Sequence, residues 1–196
     1  MTLVLDPRTS ALLVMDMQSG ILAMVGDEEK KASLLAQTSK LLDAARKARM
    51  RVVYVVLGFR PGHPELSPKN ATFAPVRENG LFLSGGAGTE IDAALAPRAD
   101  EPIVTKHRVS AFSGTDLDMI LRANGIETLV LAGISTSGVV LSTTRHAADA
   151  DYKIVVVEDG CADTDLEVHR VLFEKVLARQ ATIVKVADVT AALGGA

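Results

Sequence analysis

Short apolar runs alternate along the chain with longer segments whose apolar residues recur at helical spacing. Six runs rich in Val, Ile and Leu read as strands: Ala11–Met15, Val52–Leu57, Pro102–Thr105, Thr128–Ala132, Ile154–Glu158 and Thr182–Val186. Several are apolar throughout, the pattern of strands covered on both faces. Between them, Lys30–Ala48, Thr115–Asn124, Val139–Ala150 and Asp165–Ala178 read as helices. In the first, Leu34, Leu35, Leu41, Leu42 and Ala45 form a stripe with lysines and arginines elsewhere. For the second, Thr115 ahead of Asp116 and Asp118 is an amino-terminal cap signal, and Gly125 is a stop. Repeated strand–helix–strand units cross over right-handedly. The expectation is therefore an α/β fold, an open parallel sheet with helices on both faces.

One segment breaks the rhythm. Gly58–Pro97 is rich in Pro, Gly, Asn and Ser without sustained periodicity. A connection of that length either carries function or a subunit contact, or is a surface excursion. Arg60, His63 and Asn70 within it are candidates for a lid over a site.

Composition narrows the class. At 196 residues the chain is expected to form one domain, with no linker or internal repeat. Against 24 acidic residues stand 21 Lys and Arg, for a formal charge of −3 and no basic block. Nucleic-acid and acidic-membrane binding both need concentrated positive charge, so neither is expected. The single cysteine excludes an intramolecular disulfide framework and fits a reducing compartment. No apolar run is long enough for a membrane span, and the first residues lack a signal peptide's pattern. The expected location is cytoplasmic.

In open parallel sheets, ligands bind beyond the carboxyl ends of the strands, where strand order reverses. Asp16 follows the first strand, Lys106 the third, and Gly133-Ile134-Ser135-Thr136-Ser137-Gly138 the fourth, opening a helix. Glu158, Asp159 and Cys161 follow the fifth. An acid, a lysine and a turn with free backbone N–H groups would suit a carboxylate or an oxyanion. Each has an ordinary alternative: Asp16 as a turn former, Lys106 as a solvated charge, the serines and Thr136 as helix caps.

Taken together, these residues resemble the isochorismatase-like hydrolases. The resemblance rests on Leu12-Leu13-Val14-Met15-Asp16-Met17-Gln18, on Lys106 with Ser110-Ala111-Phe112, and on Leu131 through Thr136. Thr143, Ala147, Asp151-Tyr152 in place of a Gly-Tyr pair, and Glu158-Asp159 extend it over nearly the whole chain. It implies a single three-layer α/β/α domain over residues 1–196, with a doubly wound six-stranded parallel sheet in the order 3-2-1-4-5-6. It also implies a homo-oligomer, dimer or tetramer, and a cis peptide between Ile134 and Ser135. Most members use an Asp–Lys–Cys triad, in which Asp16 matches the acid and Lys106 the lysine.

The nucleophile position falls on Val139, six residues after Gly133 and thirteen before Tyr152. A valine cannot form a covalent intermediate. Cys161 follows the wrong strand to replace it, and Ser135, Ser137 or Ser142 would need a base within reach. Relatives of the nicotinamidase type carry an Asp-x-His and a second His after strand two, whereas Leu57–Pro64 offers only His63. His107, His146 and His169 lie on different elements, so neither metal nor cofactor is expected.

Two readings follow. The first is a hydrolase without a cysteine nucleophile, acting on a small, anionic metabolite. Asp16 would be the acid or base, raised by burial as cleavage of an enol ether would require, and Lys106 would contribute charge rather than core volume. The N–H groups of Gly138 and Val139 would hold an oxyanion, with Ser135, Thr136, Ser137, Gln18 and Phe112 around the substrate. The turn Ser135-Thr136-Ser137 differs from the Tyr-Ala-His of the isochorismatases proper. The alternative is a catalytically inactive member that binds a metabolite or a protein partner.

Overall fold

A computed structural model describes residues 3–194, so Met1, Thr2, Gly195 and Ala196 of the expected domain lie outside the described residues. Six strands form one sheet: β1 (Ser10–Met15), β2 (Arg51–Leu57), β3 (Ile103–Lys106), β4 (Thr128–Ile134), β5 (Lys153–Ala162) and β6 (Thr182–Val184). Every pairing is parallel and the order is β3-β2-β1-β4-β5-β6, the expected one. The helices are α1 (Ser19–Leu22), α2 (Glu28–Lys47), α3 (Ala74–Glu78), α4 (Leu117–Ala123), α5 (Leu141–Asp149), α6 (Leu166–Val171) and α7 (Val186–Gly194). Among the described residues, no helix is long and apolar enough to cross a membrane.

The unbroken apolar strands have the predicted cause. All six residues of β1 are buried. Leu12 and Val14 face one core with Leu41, Leu42 and Ala45 of α2. Ala11, Leu13 and Met15 face the other, with Leu117 and Leu121 of α4 and Ala147 of α5. A strand sandwiched in this way has no face left for polar residues. At the start of α2, Asp27 accepts hydrogen bonds from the Glu29 and Lys30 N–H groups, each at 3.1 Å.

The last element departs from the expectation. Val186, taken as the end of strand six, opens α7, whose Val186, Val189 and Leu193 enter the α2-side core. Its first N–H groups are held by carboxylates. Asp159 Oδ1 accepts from Val186 N–H at 2.8 Å, and Asp188 Oδ2 accepts from Lys185 N–H at 2.8 Å. The Asp159 cap comes from the distant end of β5, so no local pattern announces it.

Because β2 and β4 flank β1, the reversal of strand order falls at the carboxyl ends of β1 and β4. There Met15 pairs with Gly133. A side chain at position 133 would collide with Met15 O, so glycine is required for the two strands to close. The register between β4 and β5 shifts between Leu131 and Gly133. The peptide between Ile134 and Ser135 is cis, as expected.

Candidate functional site

Asp16 leaves β1 with φ at +57°, a left-handed conformation that Asp tolerates better than most residues. Its N–H donates to Val55 O at 2.8 Å, which fixes the turn. Lys106 ends β3, two strand spacings away, roughly 10 Å across the sheet. Only a long side chain covers that span, and Lys106 Nζ reaches Asp16 Oδ2 at 2.9 Å. The same ammonium donates to Arg108 O at 3.2 Å. Both partners are buried, Asp16 at 4% exposure and Lys106 at 2%. Burial pushes the Asp16 carboxyl above its ordinary range, and the neighbouring ammonium pulls it back. Asp16 Oδ1 is buried and has no hydrogen-bond partner among the described residues.

A cavity of about 330 Å³ opens at this pair. Ser135, Ser137, Gly138 and Val139 line it from the β4–α5 connection, so the expected loop, the acid and the lysine share one space. Phe73, Val76 and Phe82 from the long irregular segment also line it, together with Ile21 and Met24. That segment is therefore part of the site. Larger surface grooves, of about 960, 480 and 350 Å³, lie elsewhere: the first two at the amino ends of the strands, among Thr128, Lys153 and Thr182 or beside Arg51, and the third among Arg145, Lys175 and Arg179. Ligands of open parallel sheets bind at the other end, so the smaller cavity is the candidate.

The loop's own donors are partly committed. Gly138 N–H and Val140 N–H donate to Ser135 O at 3.1 and 3.2 Å, and Ser137 N–H donates to Asp163 Oδ2 at 2.7 Å. The paired N–H groups pictured at Gly138 and Val139 thus include one already bonded within the loop. Gly138 has non-helical angles, φ −99° and ψ −105°, and a side chain there would press on Ser135 Oγ.

Three residues expected around the substrate do not line the cavity. Gln18 is fully buried; its Nε2 donates to Leu57 O and Thr89 O at 2.8 and 2.9 Å, and its Oε1 accepts from Leu57 N–H at 2.7 Å. All three of these bonds go to backbone, so Gln18 clips the long segment to the sheet. Thr136 Oγ1 donates to Ala162 O at 3.2 Å and lies 2.8 Å from His169 Nδ1. Phe112 stacks on His146 with centroids 4.6 Å apart.

The other candidates are also placed. Cys161 lies within β5, which runs on to Ala162 instead of ending before it; it packs in the core shared with α4 and α5, and burial pushes its thiol up to about 12. Ser142 does not line the cavity, whereas Ser135 and Ser137 do. The lid candidates serve the segment itself: Arg60 pairs with Glu65 at 2.7 Å, His63 Nε2 lies 2.7 Å from Leu81 O, and Asn70 Oδ1 accepts from Thr72 N–H. His107 Nδ1 meets Gly58 O at 2.6 Å. Among the described residues, no cluster of three or more His, Cys, Asp or Glu could hold a metal ion.

Asp163 was missed. It directly follows β5, is 7% exposed, and lines the cavity with Thr164. Nor does the site offer the free cation that an anionic substrate was expected to meet. Among the described residues, Lys106 is the only basic one lining the cavity, and it is already paired with Asp16.

The fold defines a doubly wound α/β protein, with the acid–lysine pair as a candidate site at its topological switch point. An isochorismatase domain model matches residues 10–188, and the chain belongs to the isochorismatase family. It is 31% identical over 189 residues to the uncharacterized isochorismatase family protein YecD of Escherichia coli O157:H7, covering 96% of this chain and 98% of that one. To the ureidoacrylate amidohydrolase RutB of Acinetobacter baylyi it is 32% identical over 186 residues, 85% of this chain and 76% of the other. A cysteine hydrolase from Pseudomonas syringae pv. phaseolicola superposes with a TM-score of 0.88 at 25% identity, over 98% of this chain and 96% of that one.

Proposed function

We propose that this chain is a hydrolase that uses water directly, with Asp16 moving the proton and no cysteine nucleophile. The observation that carries this is the buried, unpartnered Asp16 Oδ1 beside a cavity, while Lys106 holds Oδ2 at 2.9 Å. An ion-paired carboxylate with a free oxygen is a base. It takes a proton from water as the water oxygen bonds to a carbonyl carbon, then returns that proton to the leaving nitrogen or oxygen. Burial favours the protonated form that cleavage of an enol ether would need, and the Lys106 ammonium restrains that shift; the ion pair is what favours carbonyl substrates. The family relationship to an amidohydrolase supports hydrolysis of a carbon–nitrogen bond. The developing oxyanion falls to the backbone of Gly138 and Val139, where Gly138 N–H must first leave Ser135 O.

The test is a turnover screen of small amides, ureides, esters and enol ethers with wild type and Asp16→Asn. The expected result is hydrolysis of a carbonyl substrate that falls in the variant by about 10²–10⁴-fold. Equal rates in both proteins would refute the assignment. The apolar Val139 wall favours the second reading, an inactive member that binds a metabolite or protein; saturable binding without any turnover would support it. A homo-oligomer, dimer or tetramer, in the cytoplasm belongs to the same proposal, and light scattering after gel filtration checks the assembly.

A further inference from the structure

Among the described residues, two carboxylates and one ammonium line the cavity. Lys106 is matched by Asp16, which leaves Asp163 uncompensated: among the described residues it forms no ion pair. Its oxygens accept only backbone N–H groups, from Ser137 at 2.7 Å and Asp165 at 3.3 Å. The neighbouring His169 does not supply the missing charge, because burial disfavours its protonated form.

The geometry matters as much as the charge. The turn leading into α5 would ordinarily present free N–H groups to an anion. Here Asp163 already occupies Ser137 N–H, and Ser135 O occupies those of Gly138 and Val140. An arriving carboxylate would meet a resident carboxylate where it needs donors. A second observation points to what would be welcome: Asp16, which lines the same cavity, has a buried Oδ1 that finds no donor among the described residues. The remaining walls include Phe73 and Phe82, aromatic surface that a cationic head can stack against.

We infer that Asp163 sets the charge selectivity of this cavity, so that it takes a small ligand with a cationic or N–H-donating head and refuses a carboxylate. This rests on the cavity being the substrate site, and it replaces the anionic metabolite expected from Lys106. Asp163 is a specificity-determining residue in this account, separate from proton transfer at Asp16.

Benzamidine, benzamide and benzoate share a shape and carry charges of +1, 0 and −1, which makes them suitable probes. Titration calorimetry on wild type at neutral pH is expected to rank them in that order, with benzoate weaker than benzamide by about tenfold or more, the factor one partly desolvated charge contact supplies. Asp163→Asn keeps an acceptor for Ser137 N–H and removes the charge. It should strengthen benzoate by about tenfold while benzamide changes by less than about threefold. Asp163→Ser provides the same comparison should the first variant fail to fold. Benzoate binding as tightly as benzamide, an unchanged ratio in the variants, or no saturable binding of any probe would each overturn the inference. The readout is binding, so a protein that ranks the probes as stated but hydrolyses nothing would refute the proposed hydrolysis alone.

Discussion

Replacing Lys106 by Met isolates the electrostatics of the site. Methionine keeps most of the stem's length and apolar volume and removes the ammonium. In the native protein Lys106 Nζ lies 2.9 Å from Asp16 Oδ2, with the two residues 2% and 4% exposed. Removing one partner of a buried pair leaves an uncompensated charge and costs about 3–5 kcal/mol. The expectation that Lys106 contributes charge without supporting the fold therefore gives way to one in which it does both. The protein can limit the loss by protonating Asp16, and each pH unit of that escape is worth about 1.4 kcal/mol.

The direction of the pH dependence follows from the carboxyl's shift. Burial, the larger influence, raises the folded-state pKa of Asp16 above its ordinary 3.8, and Lys106 restrains the rise. Between the unfolded and folded values the native state holds the extra proton, so the contribution of Asp16 to stability is lost as pH rises through that window. Without Lys106 the window extends upward. Urea unfolding of Lys106→Met should therefore show its largest deficit near about pH 8, shrinking toward about pH 5 as the carboxyl neutralises. The double variant Asp16→Asn/Lys106→Met removes both charges of this pair, leaving Asp163 as the carboxylate lining the cavity, and should recover most of the deficit. A deficit equal at both pH values, or a double variant no more stable than Lys106→Met, would refute the reasoning.

Two further outcomes are expected. Gly133→Ala should destabilise the protein by about 1–3 kcal/mol, because the added methyl collides with Met15 O where β1 and β4 close; unchanged urea unfolding would show that the strands can part without cost. Val139→Cys should react with iodoacetamide faster than Cys161, whose thiol is buried in the core and pushed up to about 12, whereas position 139 lines the cavity beside Asp16 and Lys106; labelling confined to Cys161 would contradict that placement.

How much of this was readable in advance depends on the range over which each feature is encoded. The strands and main helices are local patterns, and apolar runs such as Leu12–Met15 announced themselves because both faces of β1 are covered. Asp16, Lys106 and the 133–139 loop were readable too, since position after a strand is a property of the chain. Strand order came through the resemblance alone. The segment 58–97 hid its role because its contribution to the cavity is apolar: Phe73, Val76 and Phe82 line it, while the polar residues that drew attention bind the segment's own backbone and side chains. Gln18 misled for the opposite reason. A polar side chain two residues past Asp16 suggested a ligand contact, but its amide is spent on the backbone of Leu57 and Thr89.

Asp163 shows why charge selectivity is the hardest property to read from order along the chain. Alone, an aspartate three residues before the α6 start reads as one more loop or cap acid, and Asp165, the actual cap of that helix, stands two residues away. Its meaning arises from being folded against Ser137, 26 positions earlier in the chain, at 2.7 Å. That contact does two things together: it uses a donor an anion would need, and it brings a second negative charge to a cavity whose one ammonium is already matched. Lys106 suggested an anionic ligand, but its ammonium is matched by Asp16 at 2.9 Å. Charge in a buried site is a sum over residues that the sheet gathers from separate strands, so the sign of the preferred ligand follows from the tertiary arrangement and not from the most conspicuous charged residue.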